Sequence, residues 1–312
     1  MQCHSFHSSL SQRTVGSILC GDMDIPHPLI DVLSAESFAS EHVPGAINIC
    51  VYETAFLDKV RAAFPDFTTP LTIYGWDDST REARVAAEKL GANGYKSVTS
   101  LSGGLAGWKA RGGEIEQGKS PSEKTLSGRY EIDPAASFVR WTGRSLVSFH
   151  TGTLALESGH VIVENECLRS GEFVIDMTTI RCSDITDSSM NSRLAAHLRS
   201  DDFFAVDRFP KAKFNISCAD IIKGATVGES NYQICGDFIL RGVTQTIAFP
   251  AVFARESKGG FTAQAIFDID RTQWGSIYGS GKFFARLGQH VVNDDINLHL
   301  KFSTKPNGEN TL

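Results

Sequence analysis

Apolar side chains occupy every second position along several stretches of the C-terminal part of the chain, and Gly, Asn and Asp separate these stretches. The alternation is clearest in four runs: Ala212 to Ile216, Tyr232 to Leu240, Phe261 to Ile269, and Ile296 to Phe302. Because successive side chains of a strand point to opposite faces, each run predicts a strand with one apolar and one polar face. Many such strands in succession are typical of an antiparallel barrel or sandwich, whose interior is either packed or hollow.

The N-terminal part has a different pattern, in which short apolar strands alternate with helical segments. Strands are predicted at 29–32, 46–49, 71–74 and 97–98, and helices near 35–41, 80–90 and 105–111. This alternation predicts a small parallel α/β domain. We therefore predict an α/β domain over residues 8–116, a polar linker containing Gly and Pro over 117–127, and a β-barrel domain over 128–304. The barrel domain has one predicted helix, near Ser189 to Arg199, with Asp187 or Ser188 as its N-cap.

Composition and charge narrow the classes of function. The 312 residues are 41% hydrophobic and 21% charged, with a formal net charge of -6, so the chain has no basic field for nucleic acid. No apolar stretch approaches the length of a membrane span, and the first residues have neither a basic nor an apolar leader region. We therefore expect a cytoplasmic protein that does not span a membrane and does not bind nucleic acid.

The cysteines form an odd set without C-x-x-C spacing, which argues against a disulfide framework and a zinc knuckle. Buried thiols are the expected state of those that lie in strands. The seven are Cys3, Cys20, Cys50, Cys167, Cys182, Cys218 and Cys235. At the N-terminus, Cys3, His4 and His7 form a small cluster for which a disordered end is the expected state and a metal contact the second.

Three motifs in the α/β domain occur in order: Leu29 to Val32, His42 to Asn48, and Leu101 to Trp108. With them this segment resembles the rhodanese family. The resemblance implies a nucleophilic cysteine directly after the strand that ends at Tyr74, but Gly75 stands there. Without a thiol no persulfide can form, and two carboxylates in the loop would repel thiosulfate, so we predict that the domain is not catalytic. The loop comprises Gly75, Trp76, Asp77, Asp78, Ser79, Thr80 and Arg81.

Six phrases in the second domain resemble, in order, the YceI-like family of lipocalin-like barrels, which is linked to the binding of polyisoprenoids and similar lipids. The phrases are Tyr130 to Pro134, Trp141 to Arg144 with His150 to Gly152, Gly171 to Met177, Leu198 to Phe204, Gly236 to Thr244, and Asp270 to Gly275 with Tyr278 to Ser280. The resemblance implies a lipocalin-like barrel, an apolar ligand and a homodimer.

Ligand-binding candidates follow from the inward-facing positions and from the polar residues of these phrases. They are Trp141, Arg144, His150, Phe173, Ile175, Phe214, Phe238, Phe267, Arg271, Trp274 and Leu298. Arg144 and Arg271 are candidates to grip a polar or phosphorylated head group, because a guanidinium binds oxyanions through two hydrogen bonds. The alternative for Arg271 and Trp274 is an ion pair and an aromatic clamp at a barrel corner. No metal is predicted, since no second His or Cys stands at ligand spacing from His150.

The leading hypothesis is a non-enzymatic carrier or sensor of an isoprenoid or fatty-acid-like molecule, held in the barrel without any other cofactor. The rhodanese-like module would then serve as a regulatory domain or as a docking site for a protein partner. Two alternatives stay open. One is a sulfurtransferase that works through Cys50, and the other is an interaction protein whose barrel is filled by its own side chains.

Overall fold

The structure is a computed structural model that describes residues 17–18, 28–118, 126–256 and 259–305. Two compact units divide the chain, Met1–Lys124 and Thr125–Leu312. The N-terminal cluster of Cys3, His4 and His7 lies outside the described residues, as does Cys20.

The first unit contains a parallel sheet with helices, as predicted. Its described elements are β1 (Ser17–Ile18), β2 (Leu29–Asp31), α1 (Ala35–Ser40), β3 (Glu41–His42), β4 (Ile47–Asn48), α2 (Phe56–Ala63), β5 (Leu71–Tyr74), α3 (Glu82–Ala92), β6 (Val98–Leu101), α4 (Gly104–Ala110) and β7 (Glu116–Gln117). The five-stranded sheet has the order β1-β6-β5-β2-β4, and β3 pairs with β7 separately. Residues on both faces of its central strands are buried, including Ile30, Thr72 and Ile73, because helices cover both sides of such a sheet.

The second unit is a closed antiparallel barrel, which confirms the predicted fold. Strands β9 to β16 pair in chain order, β16 pairs back onto β9, and β8 adds to the far half of β10. The elements are β8 (Gly128–Glu131), β9 (Phe138–Ser145), β10 (Phe149–Glu164), β11 (Cys167–Cys182), α5 (Ser188–Arg199), β12 (Lys211–Ile221), β13 (Tyr232–Leu240), β14 (Val243–Arg255), β15 (Phe261–Asp270) and β16 (Val292–Ser303).

Helix α5 agrees closely with the helix expected near residues 189 to 199. Asp187 is its N-cap, and the carboxylate accepts a hydrogen bond of 2.8 Å from the N–H of Met190. Leu198 is the buried side chain of this helix, and Leu194 packs against the barrel core. The helix therefore contributes apolar side chains to one end of the barrel, which we call the upper end.

A disulfide joins Cys218 on β12 to Cys235 on β13, so the prediction of free thiols is wrong for this pair. The two residues lie directly opposite each other in the antiparallel ladder. Directly opposed positions bring Cβ atoms within about 5.5 Å. Strand register thus creates the pair, although the two cysteines are 17 positions apart along the chain.

The lower end of the barrel is packed with aromatic side chains. Phe261 contacts Tyr130 and Phe253, with ring centroids 4.8 and 5.0 Å apart, and Phe173 lies 5.1 Å from Phe302. These rings are at most 7% exposed. The barrel is therefore filled at this end, and the open space lies above the packed rings.

Candidate functional site

A cavity with a volume of about 320 Å³ lies at the upper end of the barrel, below α5. We call it the upper chamber. Its wall is mostly apolar and includes Met177, Ile180, Leu198, Phe204 and Leu240. A volume near 300 Å³ is at the lower end of the range for sites that bind small organic ligands.

A second, smaller cavity of about 80 Å³ lies deeper in the barrel, and we call it the lower chamber. Its lining side chains are aliphatic or aromatic, and the side chain of Gln264, whose residue also borders the chamber, is exposed on the outer face of β15. Four residues line both chambers, and we call them the waist: Val139, Ile175, Phe238 and Leu298. The two chambers therefore adjoin, and an unbranched chain that passed the waist would enter a wholly apolar space.

The structure places the predicted site residues around these two chambers, with one exception. Of these residues, Trp141, Arg144, His150 and Arg271 line the upper chamber, Phe173, Phe214 and Phe267 line the lower one, and Ile175, Phe238 and Leu298 line both. Trp274 lines neither. Its indole N–H donates a hydrogen bond of 3.0 Å to the carbonyl of Phe238, and its ring packs edge-on against that side chain. Trp274 thus supports the waist from outside the cavity.

Arg271 borders the upper chamber, but its hydrogen-bond donors are directed at main-chain oxygens. The guanidinium donates to the carbonyls of Val292, Asn293, Tyr278 and Ser276 and lies 3.7 Å from the carboxylate of Asp294. The residue is 1% exposed. This geometry matches the corner clamp, the alternative to a head-group ligand that was predicted for Arg271.

Arg144, in contrast to the buried Arg271, is exposed to solvent. Its side chain is 46% exposed at the mouth of the upper chamber, and its charge partner, Asp268, is 3.6 Å away and 52% exposed. Such an exposed pair is weakly bound, because water screens both charges. Arg144 is therefore free to reorient toward an anionic group at the mouth.

His150 also stands at the mouth, in a cluster of three side chains. The Nδ1 atom of His150 lies 3.0 Å from Oδ2 of Asp184, and the thiol of Cys182 donates to Oδ1 of Asp184 at 3.0 Å. Partial burial opposes ionisation, but the hydrogen bonds from Cys182, Thr151 and His150 lower the pKa of Asp184 to about 2. No cysteine stands at ligand spacing from His150 along the sequence, but pairing of β10 with β11 places Cys182 opposite Gly152 and so close to His150 in space.

In the first unit, the loop after β5 directs two of its N–H groups at one of its own carboxylates, that of Asp77. Oδ1 of Asp77 accepts hydrogen bonds from the N–H groups of Ser79 and Thr80 at 2.8 and 3.0 Å. These bonds, led by the one from the Ser79 hydroxyl, lower the pKa of Asp77. A side chain at Gly75 would have its Cβ 3.1 Å from the carboxylate of Glu82.

Two other residues of this unit are buried. Cys50 is 6% exposed and lies two residues after β4, the strand at the edge of the sheet. Asp31 is fully buried, its Oδ1 atom accepts a hydrogen bond of 2.8 Å from the N–H of Leu33, and burial raises its pKa. Asp31 therefore holds the backbone that follows β2.

Comparison with known proteins assigns both units. The model of the YceI-like domain family matches residues 130–304, which is more than half of the chain. The chain belongs to the YceI-like family. The model of the rhodanese-like domain family matches residues 19–111.

Several individual proteins resemble parts of the chain. A UPF0312 protein of Pseudomonas putida (strain W619) is 29% identical over 157 residues, which are 47% of this chain and 77% of that protein. BcnA of Burkholderia cenocepacia is 19% identical with a TM-score of 0.43, over 56% of this chain and 99% of its own. A polyisoprenoid binding domain from Saccharophagus degradans is 16% identical with a TM-score of 0.43, over 57% of this chain and 98% of its own. A rhodanese-like domain from an Anabaena protein is 26% identical with a TM-score of 0.27, over 30% of this chain and 93% of its own.

Several residues that line the upper chamber were not among the predicted ligand-binding residues. One group lies on α5 and on the segment that follows it, and comprises Leu194, His197, Leu198, Phe203 and Phe204. The apolar spacing of Leu194 and Leu198 was a usable signal, since it gives α5 one buried face. Within the part of the chain that the structure describes, no helix is both long and apolar enough to cross a bilayer.

Proposed function

We propose that the YceI-like barrel binds one long-chain apolar molecule of the isoprenoid or fatty-acid type. Its chain would lie in the upper chamber and pass the waist, and its polar end would stay at the mouth, near Arg144 and His150. The observation that carries this proposal is the apolar cavity of about 320 Å³ below α5 that adjoins a second, deeper one. Membership of the YceI-like family supports the same class of ligand.

The energy for binding would come from the apolar wall. Removal of hydrocarbon from water contributes about 25 cal/mol per Å², less the cost of ordering the chain. The lower chamber offers that contribution only to molecules long enough to pass the waist. The proposal therefore includes a preference for long chains over short ones.

We further propose that the rhodanese-like unit acts as a docking or regulatory module and not as a sulfurtransferase. The carboxylate of Asp77 accepts the N–H groups of Ser79 and Thr80, which are of the kind that would otherwise bind an anionic sulfur group. Burial of Cys50 argues against the alternative route through that thiol. A cytoplasmic location and a homodimer stay predictions, and the Cys218–Cys235 disulfide is a feature more typical of oxidising compartments.

The filled-barrel alternative makes the opposite prediction about uptake. The packed rings favour a filled barrel only at the lower end, because the upper chamber is wide enough for a ligand. A filled barrel would take up no apolar probe, whatever its length. A hollow barrel would bind apolar probes, with an affinity that increases with chain length as far as its chambers accommodate the chain.

The test is uptake of fluorescent fatty-acid probes with short and long chains by the delipidated full chain. Replacing Leu298 by Trp places a large ring in the waist, so we expect loss of long-chain binding with short-chain binding kept. Ile266→Trp is the matched control, because Ile266 is 61% exposed on a neighbouring strand. Long-chain binding that is equal in both variants would contradict the proposed path of the chain.

A further inference from the structure

The cluster of His150, Cys182 and Asp184 contains three side chains of the types that bind transition metals. One ligand atom from each lies within 4.8 Å of the other two. Imidazole, thiolate and carboxylate are the usual protein ligands of Zn²⁺, and a mixed set with sulfur and nitrogen favours zinc over Mg²⁺ or Ca²⁺. We propose that these three residues form a zinc site at the mouth of the upper chamber.

The distances fit a zinc ion after only small movements. In a tetrahedral site with Zn–N and Zn–O distances of about 2.0 Å and a Zn–S distance of about 2.3 Å, neighbouring ligand atoms lie roughly 3.3 to 3.6 Å apart. Oδ2 of Asp184 lies 3.0 Å from Nδ1 of His150, and Oδ1 lies 3.0 Å from Sγ of Cys182. One ligand atom from each residue lies within 4.8 Å of the others, so the widest gap must close by about 1 Å around the ion. The metal would replace the hydrogen bonds between these groups, and the thiol would release its proton to solvent as it binds.

The backbone around the cluster is held in place by further hydrogen bonds. The N–H of Thr151 donates to Oδ1 of Asp184 at 2.9 Å. From α5, the amide of Asn191 donates to the carbonyls of Cys182 and Ile185 at 3.0 and 2.9 Å. Asn191 is therefore a positioning residue that fixes the turn carrying two of the ligands, as outer partners do in established metal sites.

Access to the cluster is also suitable for a metal. The side chains of His150 and Asp184 are 41% and 26% exposed, whereas Cys182 is 7% exposed. An ion can therefore enter from the mouth and reach a thiol that is shielded from bulk oxidants.

Three protein ligands leave one coordination position for water or for another ligand. His150 lines the upper chamber, so this position borders the chamber. A carboxylate or phosphate oxygen on the head of a bound lipid is the donor that it would accept. This last step rests on the proposed function, whereas the zinc site itself does not.

The experiment is a Co²⁺ titration of the full chain after metal has been removed with a chelator. We expect one equivalent of Co²⁺ to produce a thiolate-to-cobalt charge-transfer band and the visible bands of a tetrahedral site, and Zn²⁺ to displace it. Cys182→Ser should abolish the charge-transfer band, and His150→Ala and Asp184→Asn should weaken binding by about tenfold or more. Zn²⁺ should also raise the unfolding temperature of the native chain but not of these variants.

Two control variants separate this site from other thiols and imidazoles. Cys167→Ser removes a free cysteine elsewhere in the same barrel, and a combined Cys3→Ala, His4→Ala, His7→Ala variant removes the N-terminal cluster. Both should keep the cobalt spectrum. A spectrum that survives Cys182→Ser, disappears with the N-terminal variant, or never forms would overturn the proposal.

A second measurement addresses the head group. Metal removal should weaken binding of a carboxylate-headed chain but not of the corresponding long-chain alcohol. A cobalt spectrum in a protein that binds no lipid would leave the zinc site standing and contradict the proposed function. Equal loss of acid and alcohol binding would show that the metal holds the fold and not the ligand.

Discussion

Replacing Arg271 by Met distinguishes a structural clamp from a ligand-binding residue. Methionine keeps much of the apolar volume of the arginine side chain. It cannot donate the hydrogen bonds that four carbonyls now accept from the guanidinium. It also removes the positive charge 3.7 Å from Asp294, while Lys282 still lies 3.2 Å from that carboxylate. The perturbation therefore falls on the segment between β15 and β16, which forms part of the chamber wall.

The expected cost is large, because the side chain is 1% exposed. Each buried polar group left unpaired costs about 1–3 kcal/mol, and breaking a buried ion pair costs about 3–5 kcal/mol. Some of the carbonyls would be solvated in the variant, so we expect the free energy of unfolding of the barrel to fall by about 3–5 kcal/mol. Arg144→Met should cost at most about 1 kcal/mol, because that pair is exposed.

Native-state hydrogen exchange of the full chain is the assay, because amides in β13 and β15 report on the barrel separately from the first unit. Arg271→Met should raise the exchange rates of the slowest amides strongly, and Arg144→Met should leave them nearly unchanged. If the two variants exchange alike and only Arg271→Met loses lipid, the clamp interpretation is refuted. Arg271 would then be a ligand-binding residue.

Three further predictions follow from single positions. The pKa of Asp184 lies near 2, below its ordinary value of 3.8, so its contribution to stability is present above about pH 4 and lost as pH falls toward 2. In acid unfolding, the Asp184→Asn variant should lack this loss of stability between about pH 4 and pH 2. Gly75→Cys should produce no thiocyanate from thiosulfate and cyanide, because the loop N–H groups already bind a carboxylate of the loop; thiocyanate formation would contradict this account of the loop. Gly152→Ala should lower the unfolding free energy by about 1–3 kcal/mol or more, because the added methyl group meets a carbonyl of β11 and an indole ring on β9. The methyl group of Gly281→Ala meets no neighbouring atom, so this variant is the control. Equal stability of the two variants in urea would count against the described packing.

The architecture of the barrel could be predicted from sequence because alternation of apolar residues fixes which face of each strand is buried. Asp187 marked the start of α5 for a similar reason, since its side chain can accept a hydrogen bond from the first turn. Helix α2 was not predicted from the sequence, although Phe56 and Val60 are buried at a spacing of four. A helix with only two buried side chains gives too weak a periodic signal.

The sequence could not predict whether side chains fill the barrel interior or leave a cavity. Phe253 and Phe261 pack against each other at the lower end, whereas Ile269 and Leu298 line the upper chamber, yet all four occupy alternating inward positions. Alternation gives the direction of a side chain but not the distance to the opposite wall. That distance depends on strand tilt and closure, which are properties of the whole barrel.

The two cysteine sites depended on strand register. Cys218 meets Cys235, and Cys182 comes close to His150, because particular residues of neighbouring strands are paired. Bulges shift the register between β10 and β11 and between β12 and β13. A shift of one residue exchanges the faces of a strand, so such pairs are not readable from spacing alone.

Organic extraction of the purified full chain followed by mass spectrometry shows directly whether the barrel holds an apolar ligand. We expect a long-chain isoprenoid or fatty-acid-like molecule that is recovered in proportion to protein. The same molecule should be recovered from Ile266→Trp and should be depleted from Leu298→Trp. Extracts without any long-chain molecule, together with no uptake of added lipid by the delipidated chain, would contradict the claim that the barrel holds an apolar ligand.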